Sequence, residues 1–140
     1  MNKVSVASIG KKYGELERHL ENNLKKLIKL TKKDDYFVAL YLVDNLNMRK
    51  LNRKHRGKDR ATNVLSFVPP KGFVLPSKTY KDLGEMYIAP DYIKTKKEDI
   101  NFLLIHGYLH LLGFNHNKKS DTITMQSKEQ KLLRELMKLD

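Results

Sequence analysis

Cysteine is absent from this chain of 140 residues. No disulfide can form and no thiolate can hold a metal, which excludes a closed zinc site of the usual cysteine-rich kind. Long apolar runs are also missing. The longest, residues 102–114, is interrupted by two histidines and falls short of the roughly 20 residues that span a bilayer. Residues 1–14 carry no apolar stretch of signal-peptide length. A soluble, cytoplasmic protein without membrane association is therefore expected. Acidic side chains are scarce relative to basic ones: 16 Asp and Glu face 28 Lys and Arg, a formal net charge of +12 with a pI of about 9.8. Such an excess favours polyanionic partners, nucleic acid first among them, although scattered lysine can equally be a compositional bias. A hydrophobic fraction of 40% and a charged fraction of 31% are ordinary for a globular protein.

Residues 1–140 read as one domain, with no internal repeat and no linker. Val4, Val6 and Ile9 mark a short first strand. Leu16, Leu20, Leu24, Leu27 and Ile28 recur at helical spacing within residues 11–30. Tyr36–Val43 is a nearly unbroken β-favouring run, as expected of a strand covered on both faces. Asp44 or Asn45 can cap a short helix that buries Leu46 and Leu51. Residues 63–68 form another strand candidate, stopped by Pro69 and Pro70, and residues 69–83 read as a long loop. Residues 85–89 suggest a further strand. Asp91 is placed to cap a helix leading into residues 100–112, and Asp121 to open a last helix burying Met125, Leu132, Leu133, Leu136 and Leu139. The expected class is α+β, a small mixed sheet flanked by helices with the histidine-bearing helix near the centre.

Three of the five histidines fall at 106, 110 and 116. Residues four apart share a helical face, so His106 and His110 can present two imidazoles to one point. Gly113 supplies the backbone freedom that ends a helix and returns the chain, bringing His116 as a third ligand. Three neutral imidazoles with an open fourth position describe a catalytic zinc centre, one ion per chain. A buried helix that merely carries histidines is the plainer alternative.

A second constellation is basic. Arg49, Lys50, Arg53, Lys54, Arg56, Lys58 and Arg60 are seven cations within twelve residues. Arg49, Arg53 and Arg56 share one helical face and repel one another there, a repulsion that a polyanion would relieve. A solvated face with its arginines salt-bridged elsewhere would account for the same run. The planar arginine fork suits bidentate phosphate contact.

Together these segments resemble the YbeY family of endoribonucleases. The family's histidine motif is matched by residues 106–116. A second stretch is matched by Arg56, Gly57, Lys58 and Asp59 followed by residues 62–67, and a third by residues 83–88. The resemblance implies an α+β fold and zinc held by His106, His110 and His116. It also implies that Arg56 lies at the active site, contacting a phosphate or the transition state. It further implies cleavage of single-stranded RNA in 16S rRNA 3′-end maturation and ribosome quality control, with ribosomal RNA and the small ribosomal subunit as partners. Two positions depart from the family pattern. Asn115 replaces an Asp beside the third ligand; an amide cannot accept a proton but can still orient a neighbour of the metal by hydrogen bonding. Glu85 replaces an Asp and is a candidate to reach the site.

Two other readings remain. The spacing of His106, His110, Gly113 and His116 is that of metzincin peptidases, but Gly107 stands where those enzymes carry their general-base Glu. A non-catalytic RNA-binding or ribosome-assembly factor with structural zinc would need a fourth protein ligand, for which His55 or an Asp is a candidate.

Overall fold

The structure, a computed structural model, describes residues 3–70 and 81–138. The elements run β1 (Val4–Ile9), α1 (Glu15–Leu30), β2 (Tyr36–Val43), α2 (Asn45–Arg56), β3 (Val64–Phe67), β4 (Lys81–Ile88), α3 (Pro90–Thr95), α4 (Ile100–Leu111) and α5 (Lys119–Lys138). The sheet order is β1-β2-β4-β3, with β1, β2 and β4 parallel and β3 antiparallel to β4. This is the mixed α+β arrangement expected.

Strand β2 is central, and its alternation explains its composition. Val38, Leu40 and Leu42 enter the main core with Leu20, Leu24 and Leu27 of α1, most of α4, and Met125, Leu132 and Leu136 of α5. Val43 and Tyr41 point the other way, toward Met48 and Leu51 of α2. Both faces are thus covered, as a continuous apolar run requires.

The elements agree in kind with the local sequence signals and differ from them in position. Asp44 caps α2 by accepting from the Asn47 amide at 3.1 Å. Leu46, expected inside, is 60% exposed; the helix instead buries Met48 and Asn52, while Leu51 packs half-buried beside Met48. The cap of the histidine helix is Asp99, which accepts from the Asn101 amide at 3.0 Å, and not Asp91. Asp91 lies in the short α3 and pairs with Lys11 at 3.0 Å and the Tyr13 hydroxyl at 3.1 Å. Strand β4 starts at Lys81, so residues 81–83 of the expected loop of residues 69–83 belong to the sheet, and residues 71–80 lie outside those described. Helix α5 begins at Lys119, two residues before Asp121; Leu139 lies outside the described residues.

Helix α4 is held on three sides. The buried Asn23 of α1 donates to Asn101 Oδ1 at 2.9 Å. At the other end the Tyr108 hydroxyl pairs with Thr31 Oγ1 at 2.6 Å; burial pushes that phenol up to about 12. Against the sheet, Ser66 of β3 donates to the Gly107 carbonyl at 2.9 Å. A Cβ at Gly107 would stand 2.9 Å from both Met86 Sδ and Val64 Cγ2, so only glycine lets the helix lie this close to β3 and β4. Replacing Gly107 by Glu should cost at least about 3 kcal/mol, through overpacking and an unpaired buried carboxylate. A urea denaturation midpoint equal to that of the wild type would contradict this packing.

Candidate metal centre and cleft

His106 and His110 stand one turn apart near the C-terminal end of α4. Beyond Leu112 the helix closes in a Schellman arrangement: the Phe114 amide reaches the Leu109 carbonyl at 3.0 Å and the Gly113 amide the His110 carbonyl at 3.1 Å. Gly113 takes φ 99°, the left-handed region where a side chain is strained. The turn brings His116 back over the helix end. Its ring centroid lies 6.0 Å from that of His106 and 5.3 Å from that of His110. One nitrogen from each of the three rings can be chosen so that all lie within 4.8 Å of one another.

Hydrogen bonds decide which nitrogens face inward. His110 Nδ1 lies 3.1 Å from the Phe114 carbonyl, which can only accept, so this nitrogen carries the proton and Nε2 keeps the lone pair. His106 Nδ1 donates to the Glu129 carboxylate at 2.6 Å, again leaving Nε2 toward the centre. The two Nε2 atoms are 3.1 Å apart. At that distance two facing lone pairs repel unless a proton or a cation lies between them. Burial first, then the neighbouring His106 and His116, lower the pKa of His110, which keeps it a neutral donor.

Glu129 is the residue that sequence reasoning missed. It sits on α5 with only 3% exposure, in line with the buried Met125, Leu132 and Leu136. A carboxylate in such a stripe is costly unless paired. Its partner comes from 23 residues earlier in the chain. The signal that could have found it was the acid itself, at spacings of four and three from Met125 and Leu132. A carboxylate behind a ligating imidazole fixes the ring and raises its basicity. This donor set therefore fits a divalent cation of the zinc class: three imidazole nitrogens, no thiolate, and buried negative charge behind one ring.

The histidines form one wall of a cleft of about 590 Å³. The end of α2 and the segment leading into β3 line the same cleft and contribute Arg56, Lys58, Arg60 and Asn63. Asn115 also lines the cleft, but its Oδ1 accepts from the Asn117 amide at 3.1 Å and so shapes the turn that carries His116. Arg49 and Arg53 are turned to Asp59 instead, with Arg49 Nε at 2.8 Å and Arg53 Nη1 at 3.7 Å. For these two the salt-bridged reading of the basic run holds. Lys50 and Lys54 are exposed and do not line the cleft.

Glu85 is not brought to the site. Its neighbour Met86 faces α4, so alternation directs Glu85 to the other side of the sheet, where it accepts from the Tyr87 hydroxyl at 2.6 Å. His55 packs on Phe67 with ring centroids 4.8 Å apart and does not join the histidine group. Gly107, wedged against Met86 and Val64, leaves no room for a metzincin-like Glu.

Two outcomes test this centre. Glu129→Gln should weaken divalent-metal affinity about 10- to 100-fold, as measured by competition with a chromogenic chelator; unchanged affinity would show that the carboxylate does not support the ligand. With the pKa of His110 lowered, protons compete poorly there. Half-release of the metal should therefore fall below the ordinary imidazole value of about 6.5. Metal content after equilibration across pH reads this, and a midpoint above that value would contradict the assignment.

Sequence comparison agrees with the geometry. Residues 5–137 match the family described as Endoribonuclease YbeY. The Endoribonuclease YbeY of Fusobacterium nucleatum subsp. nucleatum is 31% identical over 126 residues, covering 82% of this chain and 78% of that protein. That of Finegoldia magna is 31% identical over 135 residues, covering 87% and 86%. That of Neisseria gonorrhoeae is 38% identical over 106 residues, covering 69% and 62%. Among solved structures, the solution structure of a Thermotoga maritima protein is similar with a TM-score of 0.60 at 27% identity, covering 94% of this chain and 88% of that one. A family match over nearly the whole length, on a fold and histidine cluster consistent with it, makes this chain a member of the endoribonuclease YbeY family.

Proposed function

We propose that this protein is a zinc-dependent endoribonuclease that hydrolyses phosphodiester bonds in single-stranded RNA. The observation that carries the reading is the sharing of one cleft by three convergent imidazoles and Arg56. A metal-dependent nuclease uses both: a Lewis acid for the reacting group and a cation for the phosphate. His106, His110 and His116 would hold the zinc, which when bound supplies Lewis acidity to a water or a phosphoryl oxygen.

The chain's own residues do the rest. Glu129 holds His106 by its Nδ1 proton, and the Phe114 carbonyl holds His110 in the same way, so both rings keep their inward lone pairs. Arg56 presents a planar fork to the scissile phosphate and offsets charge that builds on its oxygens. Asn115 offers no proton acceptor, and its role is to shape the turn before His116. The net charge of +12 draws a polyanion toward the cleft.

The substrate in this reading is ribosomal RNA. Cleavage would mature the 3′ end of 16S rRNA and serve ribosome quality control, with the small ribosomal subunit as partner in the cytoplasm. This rests on the family resemblance, and the basic cleft is compatible with it.

Cleavage of a labelled single-stranded RNA by purified protein tests the activity. His110→Ala should lower the rate at least a hundredfold, and a chelator should abolish cleavage until zinc is returned. Equal cleavage by wild type and variant would assign the activity to a contaminant. Zinc-loaded protein that cleaves neither free RNA nor small-subunit particles would favour a non-catalytic assembly factor.

A further inference from the structure

We infer that residues 57–60 form a preorganised phosphate clamp, in which Lys58 and Arg60 bind backbone phosphates flanking the one at Arg56 and Asp59 is the positioning residue that holds them there. The inference rests on the RNA-cleaving reading of the same cleft. Five of the seven cations of the basic run then fall into two groups with different tasks, Arg49 and Arg53 on Asp59 and Arg56, Lys58 and Arg60 in the cleft lining.

The loop is fastened at both of its edges. On the inner edge the buried Asn52 donates from Nδ2 to the Arg60 carbonyl at 2.9 Å, and the Lys58 amide approaches the Asn52 carbonyl at 3.4 Å. On the outer edge the Asp59 carboxylate takes a fork from Arg49, Nε at 2.8 Å and Nη2 at 3.0 Å, with Arg53 at 3.7 Å. Helix α2 ends on Gly57, whose left-handed φ of 70° turns the chain so that this fastening is possible. Lys58 and Arg60 flank Asp59 in sequence and line the cleft, while the carboxylate between them faces α2.

The consequence is electrostatic as well as geometric. An acid in the middle of a nucleic-acid-binding loop should repel RNA. Here its charge is spent on Arg49, which holds the Asp59 carboxyl below its usual range. Arg49 and Arg53 are correspondingly occupied, whereas Arg56, Lys58 and Arg60 are cations that line the cleft shared with the histidines. Ordering the loop beforehand spares the cost of ordering it on the ligand.

The sign of one substitution separates positioning from simple charge. Asp59→Asn removes a negative charge beside a polyanion, so electrostatics alone would tighten binding. If Asp59 positions the clamp, the KM for single-stranded RNA should instead rise several-fold while kcat stays within about twofold. Circular dichroism and the thermal midpoint of the variant should stay near those of the wild type, because an exposed pair contributes little to stability. A second measurement needs no change at Asp59. By fluorescence anisotropy with a single-stranded RNA oligonucleotide, Lys58→Gln and Arg60→Gln should each weaken binding several-fold. Each should also reduce the slope of log affinity against log salt by about 0.7. Lys50→Gln and Lys54→Gln, outside the cleft, should leave the slope unchanged.

Tighter binding by Asp59→Asn, or equal slopes for all four lysine and arginine variants, would overturn the clamp while leaving the nuclease reading intact. A wild type that neither binds nor cleaves RNA would overturn both.

Discussion

The arrangement of the site depends on how closely α4 lies on the sheet. Gly107 permits that approach, and the Ser66 hydrogen bond to its carbonyl fixes it. Because seven of the helix's twelve residues are buried, its rotation about its own axis is set by core packing. His106 and His110 then emerge along one edge, into the cleft that β3 and the segment before it also line. A side chain at 107 would push the helix outward and separate the histidines from Arg56 together. The same glycine therefore serves the fold and the site, and its position next to a ligand is a packing requirement rather than a lost general base.

Charge follows a similar economy. The protein carries a large positive excess, yet its histidine cluster is backed by a buried carboxylate and its basic loop is pinned by an exposed one. Glu129 is excluded from water and acts on a single imidazole proton. Asp59 remains solvated and acts on two guanidinium groups. Burial makes the first interaction strong and directional; exposure leaves the second a matter of geometry more than of stability. In both places an acid sets the orientation of a basic or neutral donor that faces the cleft.

Much of this was legible in the sequence wherever a local rule acts within one element. Spacing four on a helix placed His106 beside His110, and Gly113 announced the reversal that returns His116. The unbroken run at Tyr36–Val43 announced a doubly covered strand. What escaped depends on contacts between elements. Glu129 meets His106 only because α5 crosses α4, and nothing in the local pattern of either helix specifies that crossing. Glu85 could be assigned to the site or away from it until the pleat was known, since a shift of one residue changes its face. Asp91 and Asp99 are both plausible caps in sequence; the extra short helix α3 decides between them. Arg49 and Arg53 looked equivalent to Arg56, and only the fold of residues 57–60 brings Asp59 back against the first two.

Asn115 shows how a departure from a family pattern can be absorbed. Its side-chain oxygen accepts from the Asn117 amide, a bond that an amide oxygen makes as well as a carboxylate oxygen does. The turn that returns His116 is therefore kept. What an Asp would add is negative charge at a half-buried position in the cleft lining. Charge that acts on the ligands most strongly must be buried, and Glu129 already provides it behind His106. The turn that carries His116 and the buried charge behind His106 are thus assigned to different residues on different elements.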